Sequence, residues 1–337
     1  MQYKSLKGFT GLGQFGILCV FLGLGFVLAA VIQVIIGFKM IPSGTALNDM
    51  AKVMMDAMAK PENVGYVRAL QITGTFFLLF VPTILYSWVT NGRNKFWLGF
   101  NPYINISQIA IGFVIIFAAN IAATPLEDIT KSVVAHFPSI DKIAKQLEDA
   151  YNEQVLLLSN LKSWPEFLMA IVIMAFLPSL FEEMFFRGAM QNLLVRWWKQ
   201  PLLAILVTSL VFSLIHSSIY LFMSRVMLGF ALGLMYHTTK NIWVNVIAHF
   251  LNNAIALSQL FYMSSNKQKI DPSKLDPTKF DPKIAWGLAV AALIGLYFLF
   301  KVLMKISRAN REKIDAQEQV LLSRENIHDP FAKNQNS

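Results

Sequence analysis

Residues 167–198 read FLMAIVIMAFLPSLFEEMFFRGAMQNLLVRWW. A helix rises about 1.5 Å per residue, so this run is longer than a hydrocarbon core of about 30 Å requires. Trp197, Trp198 and Lys199 close it as an interfacial anchor. In its middle stand Glu182, Glu183 and Arg187, with Pro178 one turn ahead. A charge at the bilayer centre costs about 2.5–3.5 kcal/mol even on lenient insertion scales, so such residues need partners or a use. Glu183 and Arg187 are four apart, share a face and can form a local ion pair. Glu182 points about 100° away from Glu183 and depends on other helices for its partners. Pro178 removes a backbone donor and can kink the helix near both carboxylates.

The rest of the 337-residue chain has the same character, with 55% hydrophobic and 15% charged residues and a mean hydropathy of +0.50. Soluble domains carry about 25% charged residues. A disordered chain and a cytosolic enzyme are excluded, and a lone cysteine, Cys19, excludes a disulfide scaffold. The net charge of +9 is spread over short loops and helix ends, which sets topology and gives no nucleic-acid surface.

Further apolar spans run from Phe15 to Phe38, Ala69 to Val89, Ile106 to Ala123, Pro201 to His216, Leu221 to Tyr236, Ile242 to Met263 and Ile284 to Leu303. The expected fold is all-α: a polytopic membrane helix bundle of about eight transmembrane helices, the first an uncleaved anchor. Gly229 and Gly233 permit close helix approach, and Trp97 is placed in the interfacial belt. Residues Ser43 to Lys60 predict an interfacial helix with Leu47, Met50, Met54 and Met58 on one face. The polar insertion 124–165 carries Ile140, Ile143, Leu147, Tyr151, Val155 and Leu158 at helical spacing. It reads as an amphipathic helix packed on the bundle, or else covering an entrance. Asp271-Pro272, Asp276-Pro277 and Asp281-Pro282 predict a stiff aqueous connector, and the tail after Lys305 reads as polar and disordered at its end. Lys and Arg near span ends place both termini in the cytoplasm, for a multi-pass protein of the plasma (inner) membrane.

Other spans also carry polar groups. Phe212-Ser-Leu-Ile-His216 ends the fifth, and Asn245, His249 and Asn253 recur every four residues along the seventh. Counted from their anchors at about 1.5 Å per residue, Glu182, His216, His249 and Asn253 fall in one band of the membrane. A glutamate and a histidine converging on one water make a general base. A second histidine and an asparagine supply donors to the oxyanion formed when water attacks an amide carbonyl. The bland alternative is an inter-helix staple of ion pairs and hydrogen bonds.

Glu182-Glu183-x-x-x-Arg187, Phe212-x-x-x-His216 and His249-x-x-x-Asn253, in this order on successive hydrophobic segments, resemble the CPBP family. It comprises the type II CAAX prenyl endopeptidases and the bacteriocin-processing or immunity membrane proteins, formerly called Abi. The resemblance covers Phe167 to Met263. It implies an intramembrane endopeptidase in which Glu182 and His216 activate water, His249 and Asn253 form the oxyanion site, and Glu183 and Arg187 give support. The family is often labelled a metalloprotease, and two histidines with a glutamate suit zinc; the reading favoured here uses no metal, with zinc as the alternative. The expected organisation is 1–163 as N-terminal helices, 164–263 as the catalytic core, and 264–337 as connector, last span and tail. Expected partners are membrane lipid and a peptide or protein substrate, membrane-bound or lipidated, with no nucleic acid. The competing functions are a non-catalytic binding or immunity protein and a proton-coupled transporter; the transporter is disfavoured because no inverted repeat is visible.

Overall fold

Each apolar run meets a residue that stops a helix. In the computed structural model, which describes residues 3–58, 60–158, 161, 163–216, 218–266 and 282–328, the runs become ten helices, apart from short 3-10 turns. They are α1 (Gly11–Phe38), α2 (Met50–Met58), α3 (Pro61–Asn91), α4 (Ile106–Ala135), α5 (Pro138–Leu158), α6 (Trp164–Trp198), α7 (Pro201–Ile215), α8 (Phe222–Thr239), α9 (Ile242–Ser265) and α10 (Pro282–His328). Asn105 opens α4 with a capping box to Gln108, and Asn241 caps α9 through Trp243 N–H. Gly92 at φ 77° ends α3, while Lys199 and Lys240 end α6 and α8 in the left-handed conformation.

All eight expected spans are helices. Six of them (α1, α3, α4, α6, α9 and α10) are long and apolar enough to cross a membrane, and the chain is a multi-pass integral membrane protein. α7, at 15 residues, reaches only about 22 Å, and α8 carries Arg225 and His237. These two lie against each other, and α8 also packs on α4.

Two helix ends differ from expectation. α4 does not stop at Ala123 but continues through Thr124 and Pro125 to Ala135, so the polar insertion starts as a helical extension. α10 does not stop at Leu303 either. Its polar continuation is held by ion pairs from Lys240 to Asp315 (2.7 Å) and from Arg196 to Glu318 (2.9 Å). Ile314 on this continuation is buried against Phe96 and Trp97. Trp97 is buried in protein, under the Arg196 guanidinium at 5.2 Å, and does not face out from the bundle. The final residues of the tail and the Asp-Pro connector before Pro282 lie outside the described residues.

α2 folds back so that Met54 meets Gly37 of α1. α5 is the amphipathic helix the insertion predicted, but Ile140, Ile143 and Leu147 of its apolar stripe are exposed, and Ala144 faces Val134 and Tyr220 instead. The three exposed side chains are left uncovered by the bundle, while polar contacts hold the helix in place; the side chains of Val155 and Leu158 lie outside the described residues. Tyr220 Oη donates to Asp141 Oδ1 at 2.6 Å, and Lys145 Nζ reaches Asp141 Oδ2 at 2.6 Å. The bonds from Lys145 and Tyr220 hold the Asp141 carboxyl below the usual aspartate range. Burial and the bond to Asp141 push the Tyr220 phenol up to about 12. Asp141, with a lowered pKa, loses its contribution as pH falls through that value; Tyr220, with a raised one, loses its own from the ordinary value of 10.0 up to about 12. Limited proteolysis of reconstituted protein should therefore find α5 protected between those two limits and cut faster outside them. Tyr220→Phe should raise cutting at neutral pH a few-fold, and unchanged cutting across the whole range would contradict this docking.

Candidate active site

The backbone of α6 is shaped by its proline. Pro178 offers no N–H to the Met174 carbonyl, and the preceding turn, Ile171–Phe176, widens into a π-helix whose closing bond runs from Leu177 N–H to Val172 O. A second π-helical stretch, Met184–Gln191, follows the carboxylates. The regular segment between them, Leu177–Glu183, sends Glu182 and Glu183 to different faces.

Glu183 is wholly buried and accepts from three donors on two helices, α6 and α9. Arg187 Nη1 donates at 2.7 Å, Asn245 Nδ2 at 3.1 Å and His249 Nδ1 at 3.0 Å. Arg187 Nη2 donates to Gly229 O at 3.0 Å, and Gln191 one turn later donates to Gly233 O at 2.9 Å. Those carbonyls lie within reach because α8 sits tight on α7. A Cβ at Gly229 would stand 3.2 Å from Phe212 and Ser209, and one at Gly233 2.6 Å from Ile205. The expected i,i+4 ion pair and the glycine spacing thus belong to one buried network.

Glu182 faces the other way, into a chamber of about 460 Å³ that His216, His249 and Asn253 also line. Its Oε2 lies 3.8 Å from His216 Nε2 and 4.0 Å from His249 Nε2. His216 ends α7, and its Nδ1 bonds Phe212 O at 2.7 Å. A carbonyl only accepts, so that nitrogen carries the proton, and Glu183 fixes the proton of His249 on Nδ1 in the same way. In its neutral form each imidazole turns a bare Nε2 toward Glu182. Asn253 Nδ2 donates to Ser179 Oγ at 3.3 Å and keeps a second N–H. All four residues expected to act together share this chamber, and Asn245, His249 and Asn253 do lie on one face of α9.

Three acceptors converging on one space require a donor or a cation between them. The ligand types suit zinc, but a tetrahedral ion bonded at about 2.0–2.2 Å would bring its ligand atoms to about 3.4 Å of one another. One water with hydrogen bonds of about 2.8 Å sets its partners roughly 4–4.5 Å apart. The observed 3.8 and 4.0 Å fall between the two geometries. Among the described residues, no three of His, Cys, Asp and Glu are grouped to hold one ion.

Sequence reasoning passed over several chamber residues. Arg225 of α8 lines it, and the rule that singled out Glu182 and Arg187, an ionisable group within an apolar span, applies equally to Arg225. Gln71 and Thr75 of α3, four apart on one face, also reach it. Tyr151 of α5, a member of the stripe read from the insertion, and Asn152, which no sequence signal announces, complete the wall.

Comparison with known proteins agrees with the motifs. Residues 164–255 match the family model of the Rce1-like type II CAAX prenyl endopeptidases, so the resemblance to that protease family holds across the segment that builds the chamber. Among curated proteins, the uncharacterized protein YpbD of Bacillus subtilis (strain 168) is 31% identical over 105 residues, 30% of this chain. The match covers 51% of that relative, about half its length. No solved structure matches significantly.

Proposed function

We propose that this chain is an intramembrane endopeptidase that hydrolyses a peptide bond with a water held between Glu182, His216 and His249. The observation that carries the reading is the Glu182 carboxylate faced by two imidazole nitrogens at 3.8 and 4.0 Å inside a chamber large enough for a peptide segment. Water supplies the two donors that this set of acceptors lacks. Glu182, oriented with His216, takes a proton as the water oxygen attacks the amide carbonyl. The resulting oxyanion is met by the free Asn253 N–H and, when its Nε2 is protonated, by His249, whose other nitrogen is held by Glu183. The proton on Glu182 passes to the amine as the C–N bond breaks, leaving an acid, an amine and the carboxylate restored. Glu183 and Arg187 act through the others: they set the rotamer of His249 and the spacing of α6, α8 and α9.

The substrate class is a peptide or protein presented within or at the membrane. The family's description makes prenylated CAAX peptides the first to be assayed. The Lys and Arg distribution supports both termini on the cytoplasmic side of the plasma (inner) membrane. The reading is tested by trapping. Full-length Glu182→Gln protein is purified from its membrane, co-purifying peptides or proteins are identified, and each is offered to the unaltered chain. Cleavage by the unaltered chain and none by the variant is expected, with no loss after incubation with EDTA or 1,10-phenanthroline. Activity lost to chelators and restored by zinc would move the mechanism to a metal-bound water.

A further inference from the structure

Arg225 is a cation in an apolar span without a close ion pair among the described residues; Glu148 and Glu182 act on it only from farther off. Its Nη1 donates to the His216 carbonyl at 3.1 Å, and its guanidinium lies 5.9 Å from the centre of the Tyr151 ring. No carboxylate stands within ion-pair distance of it among the described residues. Several other arginines are matched, Arg187 with Glu183, Arg196 with Glu318 and Arg311 with Asp315, while Arg68, buried in α3 and not lining this chamber, likewise has no ion pair among the described residues. An arginine has five N–H donors, and the carbonyl takes one. A guanidinium at membrane depth is costly to leave without an anion.

Its position says where such an anion would come from. Arg225 lines the catalytic chamber and also a second one of about 350 Å³ between α4, α5, α8 and α9. Tyr151, Leu228 and Ala256 border both as well, so the chambers adjoin with Arg225 at the partition. The second chamber has a polar side, where Asn120 Nδ2 donates to Asn252 Oδ1 at 2.7 Å and Glu127 is neutralised by Lys131 at 2.6 Å, and an apolar side formed by Phe113, Phe117 and Ile255. A peptide crossing the catalytic chamber has somewhere to continue, and passes a planar, unspent donor fork as it does. Such a fork matches a carboxylate in two-point geometry.

We infer that Arg225 and the adjoining chamber form a carboxylate-binding subsite that anchors the bound peptide beside its scissile bond. This rests on the peptidase reading for what is bound, but its recognition element is separate from the water-activating groups. The carboxylate is either the peptide's own C-terminus or an Asp or Glu side chain.

The test is retention without turnover. Full-length Glu182→Gln protein in detergent is incubated with three pools of random decapeptides: free C-termini without Asp or Glu, amidated C-termini with Asp and Glu, and amidated C-termini without them. Retained peptides are quantified by mass spectrometry. One of the first two pools should be retained at least about tenfold over the neutral pool, and which one identifies the source of the carboxylate. Adding Arg225→Gln should abolish the preference, and adding Arg225→Lys, which keeps the charge without the fork, should leave part of it. Equal retention of all pools overturns the inference on the Arg225-containing protein alone, whether or not the variants fold. A preference that survives Arg225→Gln overturns it too. Carboxylate preference in a protein that cuts nothing would sink the peptidase reading and spare the subsite; cleavage indifferent to the carboxylate would do the reverse.

Discussion

Alanine at Glu182 or at His216 is expected to lower peptide cleavage by about 10²–10⁴-fold, the range for removing a general acid–base group, with the protein still present in membranes at its normal level. The fold should tolerate both changes. Glu182 projects into the chamber, and its nearest polar neighbours are the two Nε2 atoms at 3.8 and 4.0 Å, so its removal orphans no buried donor. His216 gives up only its bond to Phe212 O, because Arg225 holds its backbone carbonyl and not its ring. Asn253→Ala removes one oxyanion donor and should cost about 10²–10³-fold. Wild-type cleavage rates in both the Glu182→Ala and His216→Ala proteins would remove the water-activating role. A protein that binds or protects equally well with either change would point to the non-catalytic branch of the resemblance.

The neighbouring carboxylate should behave in the opposite way. Glu183→Ala is expected to destabilise the protein by about 3–5 kcal/mol, because it leaves the Arg187 guanidinium buried without its counter-charge. The pair is closed at 2.7 Å, with side-chain exposures of 1% and 0%. Asn245 and His249 would lose their acceptor at the same time. Thermal unfolding in detergent, together with abundance in the membrane, measures the loss. Replacing both members by apolar residues of similar volume, Glu183→Leu with Arg187→Met, should recover much of the stability without restoring activity, since burying no charge is cheaper than burying one. A Glu183→Ala protein that unfolds like the parent and has only lost activity would transfer Glu183 from positioning to chemistry. Two glutamates adjacent in sequence thus separate into one whose loss stops the reaction and one whose loss opens the fold.

That division was half visible beforehand. The spacing of Glu183 and Arg187 announces a pair on one helix face, and the 100° step to Glu182 says that it must look elsewhere. The four-residue rhythm of Asn245, His249 and Asn253 likewise announces a shared face. Arg225 could have been found by the same rule, but its significance lies in its neighbours: among the described residues no carboxylate pairs with it, Glu148 and Glu182 acting on it only from beyond ion-pair distance. Tyr151 belongs to a helix whose period predicts the wrong packed face. In water an apolar stripe must be buried in protein, whereas beside a bilayer lipid serves as well, and Ile140, Ile143 and Leu147 remain exposed. The continuation of α10 past Lys305 and the inward turn of Trp97 depend on Lys240 and Arg196, which are distant in the chain.

Local composition settled which segments enter the membrane, because about 20 apolar residues have no cheaper place to go and a charge among them is conspicuous. It also named the residues proposed to activate water. What those side chains touch was left to the packing of α6 through α9, with α5 closing the chamber wall. Lipid and protein interior are almost equally apolar, so the sequence carries little information about which helix faces meet. Hydrogen bonds between helices, such as those converging on Glu183, select one arrangement from the many that apolar surfaces alone would permit.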